Sequence, residues 1–293
     1  MRKLILGIDM GGTKTAAGIF EYDGELLSKE VLINPKTDDA EEVWNGITDL
    51  IDKVSAPYID EIIVCGVGAA GPGEPKGKSL SPANLPAWKK FPLRERLEAH
   101  IGKTAYIEDD CKALAMGEGW KGSAVGKNNY ISMVVSTGIG GGIVLDGKLL
   151  HGHGMMAGHV GHIIINPNGP LCGCGQFGCI EAHASGPALL RKFGIAPEKA
   201  TLEMKEYCAD MIAHLICIVT ATLDINWVTI GGSVALGFGD VFFNRAQETY
   251  DKMMQMDFGK GLKIVPSGLG IDGGLISAAR VGKLGYRGIL WSS

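Results

Sequence analysis

The sequence predicts an α/β protein of two similar lobes, each opening on a meander of three antiparallel strands followed by helix–strand pairs. Three observations carry this. LILGIDMGGTKTAAGIFEYDGELL (4–27) and YISMVVSTGIGGGIVLDGKLL (130–150) share one order: apolar strand, glycine turn, strand, Asp-Gly hairpin, strand. The later parts echo one another too, IDEIIVCGVGAAGPG (59–73) against INWVTIGGSVALGFG (225–239), each preceded by a helix. Finally, one stretch without a counterpart, AGHVGHIIINPNGPLCGCGQFGCIE (157–181), gathers a histidine and three cysteines. Lobes duplicated in this way are expected to face each other, with a glycine turn from each meeting in the cleft.

Taken in order, residues 3–9 and 16–20 are apolar strands around Met10-Gly11-Gly12-Thr13-Lys14, and 25–32 alternates as a third. A glycine turn of that kind can offer backbone N–H groups to an anion. Residues 39–55 carry Val43, Ile47, Leu50, Ile51 and Val54 on one face behind an acidic first turn, which predicts a helix. A buried strand in 60–73 runs into a Gly/Pro loop. The long segment 74–90 has no period, but Leu85, Trp88 and Phe91 argue that it is ordered. A short helix (92–101) and strand (104–108) follow, then helices over 109–122, 201–224 and 240–256. A Gly loop and helix (270–285) are placed to pack back on the first lobe. The expected division is a small N-terminal lobe, 1–108 with the C-terminal helix from about 276 to 293, and a larger lobe, 109–275.

Composition narrows the function. A formal net charge of -4, with no Lys/Arg run beyond two residues, argues against non-specific nucleic-acid binding. No uninterrupted apolar stretch reaches the roughly 18 residues that span a bilayer, and Asp9 interrupts MRKLILGID before a signal-type apolar region forms. Cys65, Cys111, Cys208 and Cys217 are scattered in apolar surroundings, which reads as a reduced, cytoplasmic protein.

His162, Cys172, Cys174 and Cys179 stand ten residues and then C-x-C-x4-C apart. Three thiolates and an imidazole are what a closed, structural, tetrahedral zinc site needs, and the glycines and prolines between them allow a tight fold. A disulfide cluster or ordinary buried thiols is the alternative. His151 and His153 read as loop or surface histidines, and His100, His183 and His214 carry no signal.

With the paired glycine turns, Asp110 and the Cys/His stretch in place, the chain resembles the ROK family of sugar kinases and repressors over nearly its whole length. LGIDMGGTK is similar to that family's first phosphate loop, STGIGGG to its second and TIGGSV to its adenosine-side loop. GHVGHIIINPNGPLCGCGQFGCIEAHASG is close to its G-H-x9-C-x-C-G-x2-G-C-x-E signature. The resemblance implies an actin-like, hexokinase-like (ribonuclease H-like) two-lobed ATPase fold with ATP, Mg2+ and a structural Zn2+. It also implies a homodimer or higher homo-oligomer, for which the apolar 240–256 helix offers a surface. His159 and PANL (82–85) look most like N-acetylmannosamine kinases; His159 stands where most members carry Glu.

Residue by residue, the resemblance makes Asp110 the base, eight residues before Glu118, with Asp109 and Lys112 replacing the family's two Asn. Read alone, the Asp109–Asp110 pair is a helix cap, which the motif context reverses, and the base could be Asp109. Asp9 would meet Mg2+ or cap the first turn. Gly11, Gly12, Thr13, Thr137 and Gly138 would hold the ATP phosphates, with Lys14 adding charge or standing exposed. Gly231 and Gly232 would back the adenosine or simply form a strand-to-helix turn. Gly71, Asn84, Asp109, His159, His162 and Glu181 are the sugar-side candidates.

The implied reaction is ATP-dependent phosphorylation of the 6-hydroxyl of N-acetylmannosamine. The alternatives are a glucokinase or related hexose kinase, a non-catalytic sugar-binding protein, and a repressor. The repressor would need a helix-turn-helix ahead of a first strand that begins by Lys3, so an enzyme is the expectation.

Overall fold

The computed structural model describes residues 2–71, 77–82 and 85–291. It divides into two compact units: Met1–Lys121 with His151–Met155 and Leu269–Ser293, and Gly122–Leu150 with Met156–Gly268.

In the first unit, β1 (Leu4–Met10), β2 (Lys14–Glu21) and β3 (Leu26–Ile33) form the antiparallel meander, and β4 (Ile62–Ala69) and β5 (Ala105–Asp109) extend it in parallel. The sheet order is β3-β2-β1-β4-β5. Helix α1 (Ala40–Ser55) starts where Asp39 accepts the Glu41 N–H at 2.8 Å, a side-chain N-cap. It buries the predicted face: Val43, Ile47, Leu50, Ile51 and Val54. Leu85, Trp88 and Phe91 are buried as well, Trp88 stacking on Phe91 with ring centroids 4.0 Å apart. They cover α1 and the sheet together with α2 (Leu93–Ile101).

The sheet's other face is closed by α9 (Gly273–Tyr286), which packs on β1, on β4 and on α3 (Asp110–Lys121). Leu275 and Ala279 join Ile5, Phe20 and Val64 in one apolar cluster. A Cβ on Gly66 would overlap the backbone of Ala278 and Gly282, so strand and helix approach as only glycine permits.

The second unit repeats the order. β6 (Tyr130–Val135), β7 (Ile139–Leu145) and β8 (Lys148–Leu149) are antiparallel, and β9 (Trp227–Gly231) and β10 (Lys263–Pro266) add in parallel. The order β10-β9-β6-β7-β8 places each strand as its counterpart in the first sheet. Helix α6 (Leu202–Leu223) has the length and mean hydropathy (1.4) of a bilayer span. Its Met204, Cys208, Ile212, Leu215, Ile216 and Val219 are nevertheless core residues, and it packs on α8 (Asp240–Met253) through the Asp210–Arg245 pair at 2.7 Å. It is a core helix.

Four elements have no clear period in the sequence. α4 (Glu181–Ala184), α7 (Ser233–Phe238) and β10 are too short to show one. α5 (Gly186–Phe193) is marked only by its cap, Ser185, and by Pro187 in its first turn.

Candidate functional site

The first glycine turn lies between β1 and β2. Gly11 N–H donates to the Lys14 carbonyl at 3.0 Å, closing the loop, while Thr13 and Lys14 are exposed. Asn34, buried at the end of β3, holds this loop from behind. Its Nδ2 donates to the Gly11 carbonyl at 2.8 Å and lies 3.3 Å from the Gly12 carbonyl; its Oδ1 accepts from Thr15 Oγ1 at 2.8 Å. A cavity of about 440 Å³ opens beside it, lined by Gly12, Thr13, Asn34, Lys36 and Leu85 among others. Nothing local in the sequence marks Asn34, because its partners are 19 to 23 residues away.

Asp9, one residue before the end of β1, lies against the first turn of α9, where a Cβ on Gly274 would strike its carboxylate. Burial raises the Asp9 carboxyl to about 6, and the nearby Asp110 charge adds to this while Lys14 opposes it. Asp9, the first glycine turn and Asp110 therefore belong to one constellation within the first unit. Two carboxylates with hard oxygen donors beside a glycine turn are a donor set that fits a Mg2+ accompanying phosphates.

Asp109 and Asp110 span the β5–α3 junction. Asp109 Oδ1 accepts from the Cys111 and Lys112 N–H groups at 3.1 and 3.2 Å, so it does act as a helix cap. Asp110 is the first helical residue and half-buried. Its Oδ1 also accepts the Cys111 N–H, at 2.7 Å, so both carboxylates cap α3. Gly71 lies two residues past β4 at φ +102°, and Asn84 falls outside the described residues.

In the second unit the loop Ser136–Gly138 is the counterpart turn. Thr137 is exposed, and Ser136 Oγ lies 2.9 Å from Ser233 Oγ, which joins this turn to the one after β9. There Gly232 has φ +94°, and a side chain on it would collide with the backbone of Val135. Thr137, Gly138, Gly231 and Gly232 are thereby brought together. Beside them lies a cavity of about 250 Å³ lined by Pro197, Ala200, Lys205, Val234 and Gly237.

The ligand atoms of His162, Cys172, Cys174 and Cys179 all lie within 4.8 Å of one another. Cys174 and Cys179 Sγ are 3.7 Å apart, and Cys172 Sγ is 3.7 Å from His162 Nδ1. A disulfide would need about 2.05 Å. Tetrahedral zinc with Zn–S bonds of about 2.3 Å sets sulfurs about 3.8 Å apart, so the spacing fits that metal. Burial pushes the Cys179 thiol up to about 12 in the metal-free chain, whereas the Gln176 backbone N–H holds the exposed Cys174 below its ordinary value.

Glu181, expected on the sugar side, bridges this cluster to the second turn. Its Oε2 accepts the Ile139 N–H at 2.9 Å and its Oε1 lies 4.0 Å from Cys172 Sγ. His159 is exposed and its Nδ1 donates to the Met156 carbonyl at 2.9 Å.

Two histidines make contacts that no local pattern in the sequence marks. His151, expected as a loop or surface residue, is half-buried 3.0 Å from Glu108. His183 meets the Tyr207 hydroxyl at 3.2 Å and lines a cavity of about 640 Å³ with Arg191 and Lys192.

Two five-stranded sheets of equivalent strand order, each with a glycine turn after its first strand, define the hexokinase-like α/β fold class. A sequence model of the ROK family matches residues 5–283, and the chain belongs to that family. It is 34% identical to an N-acetylmannosamine kinase of Haemophilus influenzae over 94% of this chain and 93% of that one. It is 29% identical to a glucokinase of Thermotoga maritima, covering 94% and 96%. The crystal structure of a ROK hexokinase from Thermus thermophilus superimposes with a TM-score of 0.88 at 30% identity, covering 97% and 99%.

Proposed function

We propose that this protein is an ATP-dependent sugar kinase that phosphorylates the 6-hydroxyl of N-acetylmannosamine. The observation that carries the reading is the constellation of Asp110, Asp9 and the first glycine turn within one unit. Phosphoryl transfer asks for a base, charge neutralisation and positioning, and these residues offer each. Asp110 takes the proton of the attacking hydroxyl; the oxygen then bonds the γ-phosphorus as the bond to ADP breaks. Gly11, Gly12, Thr13, Thr137 and Gly138 hold the phosphates through backbone N–H groups and hydroxyls, and Lys14 adds charge. Mg2+, held on the Asp9 side, neutralises the phosphate oxygens when bound. Gly231, Gly232 and the adjoining cavity take the adenosine.

His162, Cys172, Cys174 and Cys179 hold a structural zinc. Four protein ligands leave it no open position, so it serves to fix the chain rather than to polarise substrate. Gly71, Asn84, Asp109, His159, His162 and Glu181 form the sugar side. His159 favours the N-acetyl sugar: an imidazole offers one acceptor where a carboxylate would accept from two hydroxyls. The similarity to N-acetylmannosamine kinases supports this choice. Comparable similarity to a glucokinase supports glucose as the second reading.

The test is a coupled assay across N-acetylmannosamine, N-acetylglucosamine, glucose, mannose and fructose. N-acetylmannosamine is expected to give the highest kcat/KM; glucose giving the highest would replace the first reading by the second.

A further inference from the structure

Three titratable side chains that this chemistry does not use lie together behind the β5–α3 junction. Glu108 is 7% exposed and Lys112 1%, and the His151 side chain is 15% exposed. Buried charges persist where partners satisfy them. Glu108 Oε1 accepts the Asp109 N–H at 3.1 Å and lies 3.6 Å from Lys112 Nζ, while its Oε2 is 3.0 Å from His151 Nε2. Lys112 Nζ donates to the Met155 carbonyl.

His151 and Met155 bound a short excursion of the chain. Residues 151–155 belong to the first unit, although the residues through Leu150 and from Met156 on belong to the second. Met155 is held at φ +60°, a conformation unfavourable for a side-chain-bearing residue. The buried ammonium grips the carbonyl of that same residue. At the other end, Lys112 and Glu108 both reach Asp109: the Lys112 N–H donates to its Oδ1, and Glu108 accepts its N–H.

We propose that Glu108, Lys112 and His151 are positioning residues, a buried network that locks segment 151–155 onto the junction presenting Asp109 and Asp110. They set the sugar-side geometry without touching the reacting atoms. This rests on the kinase reading for the roles of Asp109 and Asp110. Nothing local in the sequence points to such a network, since Lys112 and Met155 are 43 residues apart.

The experiment compares the intact chain with Lys112→Met, His151→Ala and the double variant Lys112→Met/Met155→Gly. It reads KM for sugar and for ATP separately, kcat, and hydrogen exchange of the peptide covering 150–156. Lys112→Met is expected to lower kcat/KM for sugar about tenfold, leave ATP KM within about twofold, and speed exchange in that peptide. Glycine at 155 relieves the strained backbone and is expected to recover part of the sugar kinetics, which a merely destabilised fold would not show. His151→Ala, at a less buried position, should move sugar kinetics and exchange in the same direction should Lys112→Met fail to fold. Sugar and ATP KM rising together, or unchanged exchange in 150–156 with either folded variant, would overturn the network. A wild-type chain that turns over no sugar would sink the kinase reading instead, and the exchange measurement would still judge the network.

Discussion

The Glu181 carboxylate accepts the Ile139 N–H at 2.9 Å, so a residue two positions after the last cysteine of the Cys/His cluster braces the second glycine turn. A Cβ on Gly138 would lie only 2.9 Å from the same oxygen. The Cys/His cluster and the phosphate-binding candidate are thus one piece of local structure in the second unit. Glu181→Ala removes the acceptor that holds the turn, together with the proposed sugar-side carboxylate, and is expected to raise KM for ATP about tenfold and KM for sugar as well, while Glu181→Gln, which still accepts from Ile139, should be milder for ATP. Initial-rate kinetics with varied ATP and with varied sugar check this.

Metal content offers a second check. Elemental measurement of the purified chain should find about one zinc per chain, and Cys174→Ser should lose it. Chelation should lower Tm by roughly 5–10 °C, read by calorimetry. A chain without zinc and with oxidised cysteines would return the cluster to the disulfide alternative.

Asp110→Asn keeps size and shape but gives up the proposed base. It is expected to lower kcat by about 10²–10⁴ with KM for ATP little changed. Full turnover would take Asp110 out of the reaction.

Asp9 gives a pH signature in the Mg2+-free protein. Its folded carboxyl, raised to about 6 chiefly by burial and then by Asp110, holds a proton more tightly than in the unfolded chain, where about 3.9 is usual. Stability from this group is therefore full below the unfolded value and falls as pH rises through about 6. Asp9→Asn should flatten that fall and stabilise the protein by about 1–2 kcal/mol near neutral pH, allowing for partial exposure, while activity drops. Thermal melts across pH measure the slope.

Asn34→Asp keeps the acceptor for Thr15 but replaces the donor that faces the Gly11 and Gly12 carbonyls with negative charge. An ATP KM increase of roughly tenfold is expected, with sugar KM moved less. Equal effects on both would make Asn34 a general stability residue.

What the sequence disclosed, and what it hid, follows from distance along the chain. The repeated strand–turn–strand units and the Cys172, Cys174, Cys179 spacing are local patterns, and the two matching sheet orders and the close sulfurs correspond to them. Lys112 stood out only as a departure at a familiar position. Its burial, and its link to Met155, depend on a contact between distant segments that no period encodes. His151 lies in a loop, as its surroundings in the sequence suggest, but its contact with Glu108 spans 43 residues that no period encodes. α4 is unmarked because an element of 4 residues shows hardly more than one turn, and α7, of 6 residues, is marked only by the Gly231-Gly232 strand-to-helix turn before it.

The helix α9 has a bearing on biogenesis. Leu275 and Ala279 cover Ile5, Phe20 and Val64, residues made more than 200 positions earlier. As the chain leaves the ribosome, residues 122–268 contain the whole second sheet and its helices before α9 exists, whereas one face of the first sheet waits. The earlier sheet is therefore completed after the later one, and its Ile5, Phe20 and Val64 face stays uncovered until α9 has been made.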